Sequence, residues 1–143
     1  MIFLPGGYPE LHAAKLSAAT TFRASMQAAA AKGVQIYGEC GGYMTLGNTL
    51  TDADGVSHKM LGLLPLDTSF AKRKLHLGYR TVTAASGPFI GKYAAHEFHY
   101  ATTTAAKGTP LFAATDAEGN SLGTFGLING TTCGSFAHLI EML

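Results

Sequence analysis

The chain has 143 residues, with 10 Lys+Arg against 9 Asp+Glu and a formal net charge of +1. That length fits one domain, and the near-neutral balance excludes the clustered basic excess that a nucleic-acid footprint needs. Charged residues make up 13% and hydrophobic ones 47%, which excludes disorder. The low charge fits either a surface that something else covers or a simple enrichment in Ala, Gly and Thr. No run of about 18 apolar residues occurs, so no membrane span is expected, and Met1-Ile2-Phe3-Leu4-Pro5 lacks the basic region and length of a secretory signal. Two cysteines, Cys40 and Cys133, are too few for a disulfide framework, which points to a reduced, cytoplasmic protein.

Residues 1–4 form an apolar run that stops at Pro5-Gly6-Gly7 and read as a buried strand. Residues 10–32 read as helical, with Leu11, Ala14, Ala18, Phe22 and Met26 at three- and four-residue steps. Ser17 or Thr20 is a candidate cap for a second helix within that stretch, and Gly33 is the expected stop. Residues 34–37 are a short strand running into Gly38-Glu39-Cys40-Gly41-Gly42 and the apolar Tyr43, Met44 and Leu46. This strand–helix–strand–turn order implies a parallel sheet. Residues 48–55 read as a turn-rich connection, and residues 75–84, 94–103 and the pair flanking 116–120 as strands, with a hairpin tip at Ala117-Glu118-Gly119-Asn120. Leu127-Ile128 and residues 136–143 close the chain, and no repeat or linker marks a second domain.

The sharpest signal is Gly38-Glu39-Cys40-Gly41-Gly42 between a predicted strand and a predicted helix, the spacing of a nucleophile elbow with Cys in place of Ser. Side chains two residues either side of the nucleophile would collide in such a turn, so glycine suits both positions. The turn lifts the sulfur above the C-terminal edge of the sheet. It also sets the sulfur at a helix N-terminus, where partial positive charge favours a thiolate. An isolated G-x-C-x-G is more often a structural cysteine; the flanking strand and helix favour the nucleophile. The Gly41 N–H then faces any oxyanion, and Pro5-Gly6-Gly7 supplies candidates for a second donor.

Of six histidines, His138, in a loop after the last strands, is the candidate base for Cys40. His96 and His99 are three apart on a strand and so face opposite sides, which argues against a metal site, and no zinc spacing occurs. Gly87-Pro88-Phe89-Ile90-Gly91-Lys92-Tyr93 has three residues between its glycines where a phosphate loop has four, and Tyr where it has Ser or Thr. It reads as a plain loop.

Five motifs in order, Leu4-Pro5-Gly6-Gly7-Tyr8-Pro9-Glu10-Leu11, Tyr37-Gly38-Glu39-Cys40-Gly41-Gly42-Tyr43-Met44, Leu77-Gly78-Tyr79-Arg80, His96-Glu97-Phe98-His99-Tyr100 and Gly134-Ser135-Phe136-Ala137-His138-Leu139-Ile140, run from one end of the chain to the other. Together they resemble the glutaminase domain of the cobyrinic and hydrogenobyrinic acid a,c-diamide synthases. The resemblance implies an α/β fold, the open, mostly parallel flavodoxin-like sheet of class I glutamine amidotransferases, as a single glutaminase domain over residues 1–143. It implies Cys40 as nucleophile, His138 as catalytic histidine, and Gly7 and Gly41 as the oxyanion hole, with Gly6, Glu97, His99 and Tyr100 as candidates for binding glutamine. Most class I amidotransferases carry Glu two residues after the histidine. Here that position is Ile140, with Glu141 one further on, so a Cys–His dyad is the expectation.

In that family the glutaminase is the C-terminal part of a longer enzyme, whose ATP-dependent synthetase domain activates carboxylates of a corrin precursor. The expectation is that this chain lacks the family's N-terminal strand–helix unit and the synthetase domain. It would then hold no cofactor or metal itself, with ATP and Mg on the synthetase domain of the same polypeptide as its partner, and no nucleic acid or membrane. The alternatives are the glutaminase of cobyric acid synthase or another tetrapyrrole amidase, a non-catalytic docking module, and an α/β thiol hydrolase.

Overall fold

A computed structural model describes residues 1–143. The chain forms β1 (Ile2–Leu4), a 3-10 turn (Pro9–Leu11), α1 (Ala13–Ala18), α2 (Thr20–Ala31), β2 (Ile36–Glu39), α3 (Gly41–Leu46), β3 (Thr49–Thr51), β4 (Ser57–Lys59), β5 (Leu66–Ser69), β6 (His76–Ala84), β7 (Gly91–His99), β8 (Thr102–Ala106), β9 (Phe112–Thr115), β10 (Ser121–Phe125), β11 (Leu127–Asn129), β12 (Thr132–Ser135) and β13 (Ala137–Met142). No helix is long and apolar enough to cross a membrane.

The strands make three sheets, ordered β1-β2-β12-β11, β10-β9-β6-β7-β13 and β4-β3-β5-β8. Parallel pairing joins β1 to β2, β12 to β2, and β3 to β5. Every other ladder is antiparallel. The architecture is therefore mixed α/β, and in place of the mostly parallel sheet expected from the sequence, parallel pairing is limited to a small core around β2 and the β3–β5 pair. The reason lies in the second half of the chain, where strands succeed one another through short turns. Such turns close antiparallel hairpins, whereas parallel pairs need a long crossover.

Several local expectations change. β1 is an edge strand and not buried: it pairs on one side only, and Phe3 is 49% exposed. The predicted strand at 34–37 begins two residues later. The helical stretch breaks at Ala19 (φ −77°, ψ 69°), which heads α2 with no side-chain cap, so neither Ser17 nor Thr20 caps it. The break shifts the phase, so Ala13 and Leu16 turn inward in α1 while Ala14 and Ala18 are exposed. Tertiary contacts explain the break. Arg23 donates to the freed Ser17 carbonyl at 2.7 Å and to Met60 O at 3.1 Å, tying α2 to the β4–β5 segment. Gly33 does terminate the helix, at φ +76°. Residues 48–55 contain strand β3, and residues 94–103 split between β7 and β8. The 87–92 segment is the β6–β7 hairpin connection and the start of β7, not a strand-to-helix turn, so it does not fit a nucleotide phosphate.

The site rests on β2, whose Ile36, Tyr37 and Gly38 are buried between β1 and β12. Backbones meet here at glycines. A Cβ on Gly38 would lie 2.7 Å from the Gly42 carbonyl carbon, one on Gly42 would lie 2.7 Å from Leu4 C, and one on Gly134 would lie 2.9 Å from Tyr43 Cδ2. Since Leu4 and Gly42 touch through main chain, no rotamer change relieves the clash. Gly42→Ala should lower the unfolding free energy by about 3 kcal/mol, read from urea denaturation, with an unchanged midpoint counting against this packing.

Candidate active site

Cys40 alone makes the turn from β2 to α3. Its φ of +49°, with ψ at −105°, is the only positive φ of a non-glycine residue in the chain. Three backbone bonds hold it. Cys40 N–H donates to Ser135 O at 2.9 Å, Met44 N–H to Cys40 O at 3.1 Å, and Gly42 N–H to Pro5 O at 3.1 Å. The elbow read from the sequence is thus present, with both flanking glycines in the close contacts that spacing implies.

A cavity of about 370 Å³ opens over the sulfur, and Gly6, Gly7, Glu10, Arg73, His99 and His138 are among its lining residues. His138 is not in a loop. It is the second residue of β13, opposite His96 of β7, because the chain continues from β12 directly into a strand that closes the antiparallel sheet. Its ring reaches the sulfur side through the space left by Gly6. A Cβ on Gly6 would stand 2.8 Å from His138 Cε1 and 3.7 Å from both His138 Nε2 and Cys40 Cβ. The loop after β1 also meets the elbow, since a Cβ on Gly41 would stand 2.8 Å from Gly7 N. Cys40, His138, Gly6, Gly7, His99 and Tyr100 therefore line one cavity, and Gly41 packs against Gly7 beside it.

Glu97 does not line that cavity. Its carboxylate accepts from Arg80 Nε at 2.9 Å and pairs with His99 Nε2 at 2.8 Å, while His99 Nδ1 donates to Ala101 O at 3.0 Å. The His99 ring also stacks on Phe136 at 3.7 Å between centroids. Glu97 shares its face of β7 with His99, two residues on, so its carboxylate meets that ring, and it is His99 at the strand end that reaches the cavity. Burial raises the Glu97 pKa, but its hydrogen bonds and charge contacts to His99 and Arg80 outweigh that and hold it below the usual carboxylate range. His76, Glu97 and His99 bring ligand atoms within 4.8 Å of one another. The His76 and His99 rings are stacked with planes 6° apart. Lone pairs lying in parallel ring planes do not converge on one ion, so the cluster fits an ion-pair network better than a metal centre.

The expectation that a helix N-terminus favours a resting thiolate is overturned. Burial pushes the Cys40 thiol up; the Gly41 N–H counters it, while the charges of Glu10, Glu39 and Glu97 add to the rise. With only six residues, α3 carries too little dipole to reverse the desolvation. The surroundings of Cys40 therefore favour its thiol form over the thiolate.

Three site residues carry no signal strong enough to single them out in the sequence. Arg73 lies in an irregular stretch before β6 and is held over the Tyr100 ring, 4.7 Å from its centroid. Glu10 lies on the 3-10 turn after the Pro5-Gly6-Gly7 loop. Glu39 sits beside the nucleophile, with Oε2 3.4 Å from His138 Nδ1. Nothing in periodicity or spacing links Arg73 or Glu10 to Cys40. Glu39 is visible inside the elbow motif, but the Leu139 N–H that it accepts from lies 100 residues away.

The architecture and the elbow define a mixed α/β protein with a cysteine on its strand-to-helix turn. A crystal structure of a glutamine amidotransferase superposes with a TM-score of 0.63 at 14% identity, over 95% of this chain and 68% of that one. A glutamine amidotransferase from Thermotoga maritima does so with a TM-score of 0.55 at 17% identity, over 95% of this chain and 55% of that one. At those identities the likeness concerns the fold.

The chain belongs to the CobB/CobQ-like glutamine amidotransferase domain family, whose model matches residues 1–142. It is 57% identical over 142 residues to the hydrogenobyrinate a,c-diamide synthase of Brucella abortus biovar 1 (strain 9-941), spanning 98% of this chain and 33% of that protein. It is 47% identical over 145 residues to the enzyme of the same name from Rhodobacter capsulatus, again over 98% of this chain and 33% of that protein. The chain thus spans about a third of the length of these relatives.

Alkylation of Cys40 by iodoacetamide should rise with pH through a midpoint above the ordinary thiol value of about 8.5, because a raised pKa leaves less thiolate at neutral pH. The Cys40→Ala protein supplies the background, and a midpoint at or below that value would refute the burial argument.

Proposed function

We propose that this chain hydrolyses glutamine to supply ammonia for amidation. Cys40 Sγ bonds to the side-chain amide carbon as its proton passes to His138 Nε2, and the carbonyl electron pair moves onto oxygen. The N–H groups of Gly41 and Gly7 stabilise that oxyanion. On collapse the C–N bond breaks, and His138 returns the proton to the departing nitrogen, giving ammonia and a glutamyl thioester. Water then attacks the thioester, with His138 taking its proton, and glutamate leaves as the thiol re-forms.

The observation that carries this reading is the convergence of Cys40, His138, Gly6 and Gly7 on one cavity that also holds a cation and an anion, Arg73 and Glu10. A free amino acid presents a carboxylate and an ammonium at its Cα. The guanidinium of Arg73 suits the first and the carboxylate of Glu10 the second, while the side-chain amide extends toward the sulfur. His99 and Tyr100 complete the wall. A thiol whose pKa is raised by burial also supports a base-assisted attack, with His138 as the base.

The acceptor of the ammonia is the a and c carboxylates of hydrogenobyrinic or cobyrinic acid, activated with ATP and Mg by a synthetase domain outside residues 1–143. The 57% identity to proteins named hydrogenobyrinate a,c-diamide synthase supports this acceptor over that of cobyric acid synthase. The domain spans a third of those relatives' length, which fits a synthetase unit in the remainder.

Glutamate release should vanish in Cys40→Ala and fall roughly 100-fold or more in His138→Ala. Arg73→Met should raise KM for glutamine about tenfold with a smaller effect on kcat, the signature of lost ground-state binding. A glutamine-analogue diazo-ketone should label Cys40; a folded protein that takes no label there would exclude the glutaminase reading.

A further inference from the structure

The dyad expected from the sequence leaves open what orients His138, since Ile140 occupies the position where a carboxylate is usual and Glu141 is exposed on β13. We propose that Glu39, the residue before the nucleophile, is the positioning carboxylate of His138, an inference that rests on the glutaminase reading above. Its Oε2 lies 3.4 Å from His138 Nδ1. Its other oxygen, Oε1, accepts from the Tyr37 hydroxyl and from the Leu139 N–H, each at 3.3 Å. One oxygen is thus anchored by two donors, and the second is left for the imidazole.

Three features make this a built arrangement. Tyr37 and Glu39 are two apart on β2 and share a face, so the hydroxyl necessarily lies beside the carboxylate. Burial, with the nearby Glu39 charge, pushes the Tyr37 hydroxyl well above its ordinary value, so it stays a donor at every working pH. The Leu139 N–H comes directly after His138 in the chain, so the same carboxylate fixes both the backbone of β13 and the ring it carries.

The consequence is a defined tautomer. A carboxylate facing Nδ1 draws the proton to that nitrogen, which leaves Nε2 free to accept. Nε2 is the ring nitrogen near Gly6, on the Cys40 side. The 3.4 Å separation is long for a hydrogen bond, as suits a site before substrate binds, where such contacts tighten later. The other titratable groups around the ring are Cys40 of the elbow, His96 opposite on β7, Tyr8, Glu10, Arg73, His99 and Tyr100 of the cavity and Glu141 on its own strand.

The test compares Glu39→Gln with the parent protein in glutamine hydrolysis. Glu39→Gln keeps the shape and removes the charge. The expected result is a kcat lowered roughly 100-fold with KM little changed. The acid limb of the kcat/KM profile should move to lower pH, because the imidazolium loses its counter-charge. A general loss of structure would not move that limb. Unchanged kcat and an unmoved acid limb would overturn the proposal. A second measurement needs no variant: the ¹⁵N shifts of neutral His138 in the parent protein should report Nδ1–H, and an Nε2–H tautomer would overturn it. The two readings fail separately. Cys40→Ala that still releases glutamate defeats the glutaminase reading, whereas its loss of activity beside an unaffected Glu39→Gln defeats only the role of Glu39.

Discussion

Cys40 holds a left-handed backbone, φ +49°, between a buried strand and a six-residue helix, and the rest of the site is arranged by that turn. A non-glycine residue in such a conformation costs about 1–3 kcal/mol and persists only where its surroundings over-determine it. Here the surroundings are backbone. The elbow is bonded to Ser135 of β12 on one side and to Pro5 on the other. The close contacts of Gly38, Gly42 and Gly134 allow three chain segments to approach with no side chain between them. The strain is thus offset by main-chain bonds in the least compressible part of the molecule. That position also lifts the sulfur into a cavity.

Two sheets build the site around that turn. The small parallel core supplies the nucleophile, the Gly41 amide and the loop with Gly6 and Gly7. The antiparallel sheet supplies His138 from β13 and, from the end of β7, His99. These groups come from segments far apart in sequence. Their meeting depends on the chain passing from β12 into β13 with one residue between, so that His138 comes soon after the strand beside the elbow.

Electrostatics divide the same way. Burial and the charges of nearby carboxylates raise the Cys40 pKa, which disfavours a stored thiolate and puts the weight on a positioned base. On β7, Glu97 is kept ionised by Arg80 and His99. It does not line the cavity, and its contact with His99 Nε2 holds a ring that does. Its companion in this respect is Phe136, whose ring lies flat against the same imidazole.

Much of this was legible in the residues. The glycines around Cys40 announce a turn in which side chains cannot fit, Pro5-Gly6-Gly7 announces a second exposed backbone segment, and the late histidine announces a base. These signals are local, because close backbone approach and positive φ demand particular residue types at fixed offsets. A second helix within residues 10–32 was legible, but its uncapped start after Ala19 was not, since alanine favours helix and the docking of Arg23 onto the Ser17 and Met60 carbonyls is a tertiary contact. Nor was the predominance of antiparallel pairing, which depends on which strands become neighbours. The sequence by itself determined the elbow, the cysteine it presents and that cysteine's candidate partners. Only the tertiary structure decided that Glu39 faces His138, that Glu97 stays out of the cavity, and that Glu10 and Arg73 share it, because those contacts join positions whose separation in the chain carries no pattern.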